Sequence, residues 1–241
     1  MKIALAQEVG TLLPRWSAER NGNAQGVGRK LLDTTIQGLQ ETANAVDPKA
    51  LSQAAKLITA ARHVDIYGAS NSYLVGLDLV EKLKKLGIYA TSYDNDYMQA
   101  ISSASLEEQD VAIAITYSGE TTSVVENLGM AQERGARTIA ITNFADSSVR
   151  QYSDLIITTG VSRHLVPDGS MSGRISQLFV VDLLFVELFN SDPERYRKAY
   201  RKYNEILLRK VSKTRTKKEP ESGDDSEGPP VTACRRRKLR Y

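Results

Sequence analysis

The stretch Val-Ala-Ile-Ala-Ile-Thr-Tyr-Ser-Gly-Glu-Thr-Thr, residues 111–122, joins a continuous apolar run to a cluster of small polar residues. Two further segments follow the same pattern: residues 64–68 run into Ala-Ser-Asn-Ser at 69–72, and residues 138–142 run into Asn143. Apolar runs of this length without alternation are typical of strands buried on both faces, as in the parallel sheets of α/β proteins. We therefore predict a parallel sheet whose strands end in hydroxyl-rich turns.

These turns have the chemistry of an anion site. Turns at the carboxyl ends of strands are where doubly wound sheets hold their ligands. A helix begins at each turn, so its free backbone N–H groups and the positive end of its dipole favour an anion. Short hydroxyls donate to phosphate oxygens, and Gly119 lets the backbone come close. The pattern predicts a pocket for a small anion such as a phosphate ester.

Helical patterns alternate with apolar segments along the chain. Strands are predicted at residues 64–68, 88–92, 111–115, 138–142 and 154–158. Helices are predicted at residues 28–45, 48–61, 74–86, 94–104, 121–134, 171–189 and 193–210. This order predicts an α/β fold, a flavodoxin-like three-layer αβα sandwich with a five-stranded, mostly parallel sheet and helical extensions at both ends.

The domain boundaries follow changes in composition. We predict a weakly structured N-terminal segment at residues 1–27, a linker helix at 28–46, the α/β domain at 47–210 and a disordered charged tail at 211–241. The tail holds nine basic and five acidic residues, which gives it a net charge of +4. The whole chain carries +3, so residues 1–210 carry −1. The pI of 8.8 therefore says little about the partners of the folded part. The basic run at 235–240 is interpreted as part of the solvated tail.

Residue counts exclude several classes of protein. The single cysteine, Cys234, permits no disulfide within the chain, and two histidines cannot build a Cys/His metal cluster. We predict neither a metal nor a cofactor. No apolar stretch approaches the roughly 20 residues that span a bilayer, and no signal-type segment opens the chain. A cytoplasmic protein without membrane contact is expected.

The turns, in this order, resemble those of the SIS (sugar isomerase) domain. The resemblance rests on the turn at 68–72, the Ser-Gly-Glu-Thr turn at 118–121 and the helix that opens with Arg-Ile-Ser-Gln-Leu at 174–178. That last motif is similar to the sensor half of the MurR/RpiR transcription regulators. The resemblance covers about residues 30–208. It implies a phosphorylated sugar as effector, a homodimer or tetramer, and DNA contact only through a helix-turn-helix domain.

The resemblance also implies which residues bind the ligand. The first turn would contribute Ser70 and Ser72, and the central cradle would be formed by Ser118, Gly119 and Thr121. Thr122 or Ser123 would add a further donor. For Arg174 two interpretations stay open: it reaches the sugar or a phosphate of a neighbouring subunit, or it caps a surface. The full set of predicted ligand-binding residues is Ser70, Ser72, Ser118, Gly119, Thr121, Thr122, Ser123 and Arg174.

Two functions compete, an effector-sensing domain and a sugar-phosphate aldose–ketose isomerase. Isomerisation requires a placed base, and SIS isomerases carry a glutamate near the start of the terminal helix. The matching positions are Gly173 and Arg174, and Glu187 lies about 20 Å further along that helix at 1.5 Å per residue. Glu120 is explained by the dipole of the helix that follows it. We therefore predict no catalytic residue and a sensor rather than an enzyme.

Three further predictions concern the two histidines and the N-terminal segment. His63 is expected to be structural, near the end of a helix, and His164 to be a surface loop residue or a ligand contact. Only about 25 residues precede the predicted linker helix, fewer than a helix-turn-helix bundle needs. The expectation from the sequence is that this chain alone does not bind operator DNA specifically.

Overall fold

The protein is described by a computed structural model over residues 24–160 and 170–216. The strands are β1 (Val64–Tyr67), β2 (Ala90–Tyr93), β3 (Val111–Thr116), β4 (Arg137–Thr142) and β5 (Leu155–Thr158). The α-helices are α1 (Ala24–Ala45), α2 (Pro48–Ala60), α3 (Asn71–Lys85), α4 (Asp96–Ser105), α5 (Thr122–Glu133), α6 (Ser170–Ser191) and α7 (Pro193–Thr216), and a 3-10 helix covers Ser148–Tyr152. The expectations for the first 23 residues, for His164 and for the tail beyond residue 216 lie outside the described residues.

The five strands form one sheet in the order β2-β1-β3-β4-β5, and every pairing is parallel. This confirms the predicted α/β fold and its flavodoxin-like order. The strand order reverses between β1 and β3. From β1 the chain continues to β2 on one side, and from β3 it continues to β4 on the opposite side. Such a reversal leaves a crevice at the carboxyl ends of the two central strands.

The two faces of the sheet bury side chains of different size. Side chains alternate along β3, so Val111, Ile113 and Ile115 belong to the core that α2, α3 and α6 cover. Ala112 and Ala114 point to the opposite face, where α5 supplies Val124 and Leu128 among the buried residues. Helix α1 packs on α6 in the first of these layers. The result is the three-layer sandwich that the strand pattern predicts.

Some element boundaries differ from the predictions. Helix α1 begins at Ala24 rather than residue 28, and α7 ends at Thr216 rather than residue 210. Strand β2 begins at Ala90 rather than residue 88, because the preceding residues close α3 instead. Gly87 has a φ of 76°, and the N–H of Ile88 donates to Leu83 O at 3.0 Å, which is the six-residue closure of a Schellman motif.

The chain divides into two units after Tyr203. The first contains the sheet and its helices, and its α7 segment anchors through Tyr196, whose side chain is fully buried and whose hydroxyl lies 2.8 Å from Thr59 Oγ1. The second unit begins at Asn204, and its described part is the helical stretch that ends at Thr216. In the described ranges no helix combines the length and the apolar character that crossing a bilayer requires.

The amino-terminal edge of the sheet is fastened by an ion pair. Asp110, which is 1% exposed, accepts from Arg62 Nε at 3.0 Å and Nη2 at 2.7 Å, and from the backbone N–H of Glu107 at 2.9 Å. Burial alone would raise the pKa of the Asp110 carboxyl. The hydrogen bonds from Arg62 and Glu107 have the larger combined effect, so the pKa of Asp110 is lowered. The loop before β1 is thereby tied to the loop before β3.

Two titratable residues outside the turns, His63 and Asp182, have identifiable partners. His63 lies beyond the end of α2. Its Nε2 is 2.7 Å from Asp65 Oδ1, so its partner is a carboxylate and not a carbonyl of the helix. The buried Asp65 also accepts from Ser102, whose hydroxyl is 3.0 Å from that of Tyr67. Asp182 is exposed and forms an ion pair with Lys82 at 3.0 Å.

Candidate functional site

The candidate site lies where the strand order reverses. Tyr67, the last residue of β1, pairs with Ala114 of β3, and Thr116 at the end of β3 pairs with Thr142 of β4. Adjacent parallel strands are about 4.8 Å apart. The turns at residues 68–72 and 117–121 therefore leave neighbouring strands at the same edge of the sheet.

The first turn depends on unusual backbone conformations. A Cβ on Gly68 would lie 2.9 Å from the carbonyl carbon of Ser72 and 3.0 Å from the nitrogen of Tyr73, so only glycine allows this close return. Ser70 has a φ of 53° and a ψ of −120°, a region that side-chain-bearing residues rarely adopt. Ser70 stands at the N-cap of α3 without a side-chain capping bond. The first turn of α3 thus lacks a side-chain cap, and strain of this kind clusters at functional sites.

The second turn is organised around Gly119. Gly119 has a φ of 69°, and a Cβ there would lie only 1.8 Å from Ser147 Oγ. Its N–H donates to Thr116 Oγ1 at 3.2 Å, and Thr116 Oγ1 is also 3.3 Å from Thr121 Oγ1. Thr121 is the N-cap of α5 and makes no side-chain capping bond. A second helix therefore presents its uncapped N-terminus at the same edge.

The hydroxyl of Ser118 is oriented by the turn itself. Its Oγ accepts from the N–H of Glu120 at 3.2 Å. Because the oxygen is the acceptor in this bond, its proton stays available for donation to a ligand. Beyond it, Thr122 and Ser123 occupy the first turn of α5, with Thr122 exposed and Ser123 half-buried.

Glu120 has a different role from the one the sequence suggested. It precedes the N-cap of α5 instead of lying in the first helical turn, so the interpretation from that helix's dipole is wrong. Its carboxylate accepts from the backbone N–H of Ser148 at 2.9 Å and from Ser148 Oγ at 2.5 Å. The carboxylate thus caps the 3-10 helix after β4. It is the one charged side chain that the sequence places at residues 68–72 or 117–123.

Helix α6 rests against both turns. Gly173 is buried, and a Cβ on it would lie 2.6 Å from the ring of Tyr117 in the second turn. One helical turn later, Gln177 Oε1 accepts from Ser72 Oγ of the first turn at 3.4 Å. Arg174 lies between these contacts; it is half-buried and forms no hydrogen bond or ion pair with the described part of the chain.

The predicted ligand residues therefore fall into two groups. Ser70 and Ser72 lie on the first turn, while Ser118, Gly119, Thr121, Thr122 and Ser123 lie on the second turn and the start of α5. Arg174 comes from a distant part of the sequence and reaches the same edge on α6. Their contacts with a ligand remain predictions.

Two buried amides at this edge were not assigned from the sequence. Gln99 of α4 donates its Nε2 to the carbonyls of Gly68 at 2.9 Å and Tyr93 at 2.7 Å, which ties the ends of β1 and β2 together. Gln177 belongs to the Arg-Ile-Ser-Gln-Leu motif, which by itself predicts no separate role for it. The signal for Gln177 is a glutamine on an otherwise apolar helix, whereas the buried residues of α4 are all polar and do not single out Gln99.

The loops after β4 and β5 continue the edge towards α1. The buried Asn143 accepts from Thr159 Oγ1, and its Nδ2 lies 3.5 Å from the hydroxyl of Tyr117. The N–H of Gly160 donates to Thr42 Oγ1 on α1 at 3.0 Å. These bonds hold Asn143 within the loop, and they link the second turn to α1.

The family follows from a comparison with known proteins. Residues 57–187, more than half of the chain, match the SIS domain family. The chain belongs to the SIS domain family. This confirms the resemblance drawn from the turns, and the matched range contains both turns and the start of α6.

Relatives of this SIS domain include transcription regulators. An uncharacterised HTH-type transcriptional regulator of Bacillus subtilis is 32% identical over 161 residues, which are 66% of this chain and 57% of that protein. Another from Caldanaerobacter subterraneus is 29% identical over 77% of this chain and 62% of its own length. The chain thus spans about three fifths of the length of these regulators.

Solved structures share the fold. The sugar isomerase domain of the RpiR transcription factor from Sphaerobacter thermophilus is 27% identical with a TM-score of 0.65 and covers 74% of this chain and 98% of that one. The Vibrio vulnificus NanR protein, complexed with ManNAc-6P, is 23% identical with a TM-score of 0.72, over 77% of this chain and 70% of that one. A phosphoheptose isomerase from Francisella tularensis is also similar in fold, at 17% identity and a TM-score of 0.58, over 70% of this chain and 100% of that one.

Proposed function

We propose that this chain is the effector-sensing domain of an RpiR-type transcriptional regulator and binds a phosphorylated sugar. The observation that carries the proposal is that two helices without side-chain N-caps, α3 and α5, follow adjacent strands where the strand order reverses. Each begins at this edge of the sheet with the positive end of its dipole and backbone N–H groups of its first turn. A phosphate dianion is the ligand that such a place favours.

The second turn is proposed to hold the phosphate. Ser118 has a proton to donate, Gly119 permits close approach of the backbone, and Thr121, Thr122 and Ser123 add hydroxyls at the start of α5. Glu120 keeps its negative charge, but the N–H and the hydroxyl of Ser148 hold its carboxylate on the 3-10 helix. Ser70 and Ser72 of the first turn, with Arg174 from α6, are proposed to complete the site.

The relatives support a regulator over an enzyme. HTH-type regulators are related in sequence over 66% and 77% of this chain, and NanR, a neighbour in fold, was solved with ManNAc-6P. We propose that the ligand of this chain is likewise a phosphosugar. Contact with DNA through a helix-turn-helix domain, and a response of a homodimer to the ligand, are part of the same proposal.

A thermal-shift screen tests this function. A panel of pentose, hexose and N-acetylhexosamine phosphates, ManNAc-6P among them, is compared with the matching unphosphorylated sugars. At a hundredfold excess over its Kd, a ligand that binds only the native state stabilises by about 2.7 kcal/mol. We expect a rise in Tm with at least one sugar phosphate and none with its unphosphorylated sugar.

Ser118→Asp is the matching variant, since it puts a negative charge where the phosphate is proposed to sit. We expect it to abolish the ligand-induced rise in Tm. Ser105→Asp, at the exposed end of α4, is the control and should leave that rise intact. A full ligand-induced shift in Ser118→Asp would contradict the assignment of the phosphate to the second turn.

A sugar-phosphate isomerase is the second candidate, and one observation favours it. Glu41 Oε2 on α1 is buried and has no hydrogen-bond partner among the residues that the structure describes. Gly160, just after β5, approaches so closely that a Cβ on it would be 2.6 Å from that of Glu41. A carboxylate near the carboxyl edge of the sheet is a possible general base. A coupled assay on pentose and hexose phosphates distinguishes the two functions. We expect no turnover; turnover that Glu41→Gln removes would establish the enzyme.

A further inference from the structure

Gln177 has a buried donor that no residue in the described part of the chain accepts. The residue is 1% exposed, and its Nε2 has no hydrogen-bond partner among residues 24–160 and 170–216. Buried amide N–H groups are nearly always paired in folded proteins. Its other terminal atom, Oε1, is held by Ser72 of the first turn at 3.4 Å, so the free N–H group lies beside the candidate site.

The same bond limits what Ser72 can offer a ligand. A hydroxyl has one proton, and that of Ser72 points to Gln177 Oε1. Ser72 then presents only lone pairs to a ligand, while Gln177 presents an N–H. The pair Ser72–Gln177 therefore combines an acceptor with a donor, unlike the second turn, where Ser118 and the start of α5 offer donors.

A phosphate dianion matches the second turn but not this pair, because its oxygens only accept hydrogen bonds. A sugar hydroxyl both donates and accepts. It can take the N–H of Gln177 and give its own proton to Ser72. The geometry points to a division of the site in which the second turn binds phosphate and the Ser72–Gln177 pair recognises a hydroxyl of the sugar. This inference rests on the proposed function. It assigns Ser72, predicted as a ligand-binding residue, to the sugar rather than to the phosphate.

The test compares two probes on the full chain. One is the sugar phosphate that stabilises the wild type most in the panel that includes ManNAc-6P, and the other is inorganic phosphate, which carries the headgroup alone. Gln177→Met keeps the length of the side chain and removes its N–H groups. Ser176→Ala, an equally buried neighbour on α6 at 2% exposure, is the matched control.

We expect Gln177→Met to raise the Kd for the sugar phosphate about 10- to 100-fold, the usual effect of one lost hydrogen bond to a buried group. The Kd for inorganic phosphate should stay within about twofold of the wild type, and Ser176→Ala should leave both constants unchanged. In the wild type, one monodeoxy analogue of the sugar phosphate should bind about tenfold more weakly, and Gln177→Met should no longer distinguish it from the parent.

Other outcomes overturn the inference in distinguishable ways. If the wild type binds no sugar phosphate, the proposed function fails and the inference with it. If the wild type binds and Gln177→Met binds the sugar phosphate equally well, the inference alone is wrong. An equal loss for inorganic phosphate would place Gln177 at the phosphate or in a purely structural role. Should Gln177→Met not fold, the monodeoxy series on the wild type decides: uniform affinity across that series would exclude recognition of a hydroxyl.

Discussion

Single residues at the site are held in conformations that the rest of the fold must impose. Ser70 adopts a positive φ that glycine tolerates better, and it does so directly before α3. Backbone strain of this kind costs about 1–3 kcal/mol and persists where the surroundings fix it. The cost at Ser70 is understandable if its hydroxyl serves the ligand, because a glycine would have filled the turn with less strain.

Replacing Ser70 therefore separates stability from binding. We expect Ser70→Gly to raise the free energy of unfolding by about 1 kcal/mol, since the relief of strain exceeds the entropy cost of glycine, and to weaken binding of the sugar phosphate. Urea unfolding and titration of the ligand measure the two effects. Ser72→Gly, inside the first turn of α3, should instead lower stability by about 0.5–1 kcal/mol. A destabilised Ser70→Gly would show that Ser70 is not strained.

Gly119 gives the complementary case of a glycine that cannot be replaced. Gly119→Ala adds a Cβ 1.8 Å from Ser147 Oγ at a φ of 69°. We expect a loss of about 1–3 kcal/mol in the free energy of unfolding and a loss of phosphate binding. Gly28→Ala in α1, where nothing lies within 4 Å, is the control and should stabilise by up to about 1 kcal/mol. Equal effects of the two changes in urea melts would refute the close packing of the turn.

At the scale of elements, the sequence predicted the strands better than the connections between them. Continuous apolar runs such as that of β3 indicated a parallel sheet, because burial on both faces leaves no other composition. The contact of Gln177 with Ser72 joins residues 105 positions apart, and no local pattern encodes it. Glu120 shows the same limit. The sequence suggested that it interacts with the dipole of α5, but its partner is Ser148 on the 3-10 helix after β4.

The ion pair at the amino-terminal edge is a testable feature of the elements. Asp110→Ala removes the acceptor of the part-buried Glu107 N–H and of Arg62, so we expect the free energy of unfolding to fall by about 1–3 kcal/mol. Glu107→Gln is the control, because its pair with Arg62 at 2.8 Å is exposed and such pairs contribute less than about 1 kcal/mol. Chemical unfolding measures both. An unaffected Asp110→Ala protein would contradict a structural role of the pair.

The same carboxylate predicts a dependence on pH. The pKa of Asp110 is lowered in the folded state, so its contribution to stability is present in full above the unfolded pKa of about 3.9. It is lost as the pH falls through the lower folded pKa. We expect the difference in stability between wild type and Asp110→Asn to be constant from pH 5 to 7, as the linkage relation requires, and to shrink below about pH 4. A difference that grows on acidification would have the wrong sign.

At the scale of the whole molecule, both outer layers of the sandwich expose apolar side chains, and we expect a second copy of the chain to pack on one group of them. This group lies on three helices of the layer that contains α6: Leu32 and Ile36 on α1, Leu74 and Leu77 on α3, and Val186 on α6. Exposed patches of this kind mark association surfaces. A dimer through this layer would place α1, which is tied to the site edge through Thr42 and Gly160, beside its partner copy.

Light scattering after size exclusion tests the expected dimer. We expect the wild type to elute as a dimer and the double variant Leu74→Glu/Leu77→Glu as a monomer, because four charges across a symmetric interface repel. Tyr97→Glu, at a residue 75% exposed on α4 in the opposite layer, should remain dimeric. A wild type that is monomeric at every concentration would remove the dimer from the proposed function.

A crystal structure with the sugar phosphate from the screen tests the central proposal most directly, which is that the phosphate binds at the second turn and the N-terminus of α5. We predict the phosphate on the second turn, with its oxygens about 2.7–3.2 Å from the backbone nitrogens and hydroxyls of residues 118–123. Electron density for the phosphate elsewhere, with both turns vacant at saturating ligand, would contradict it.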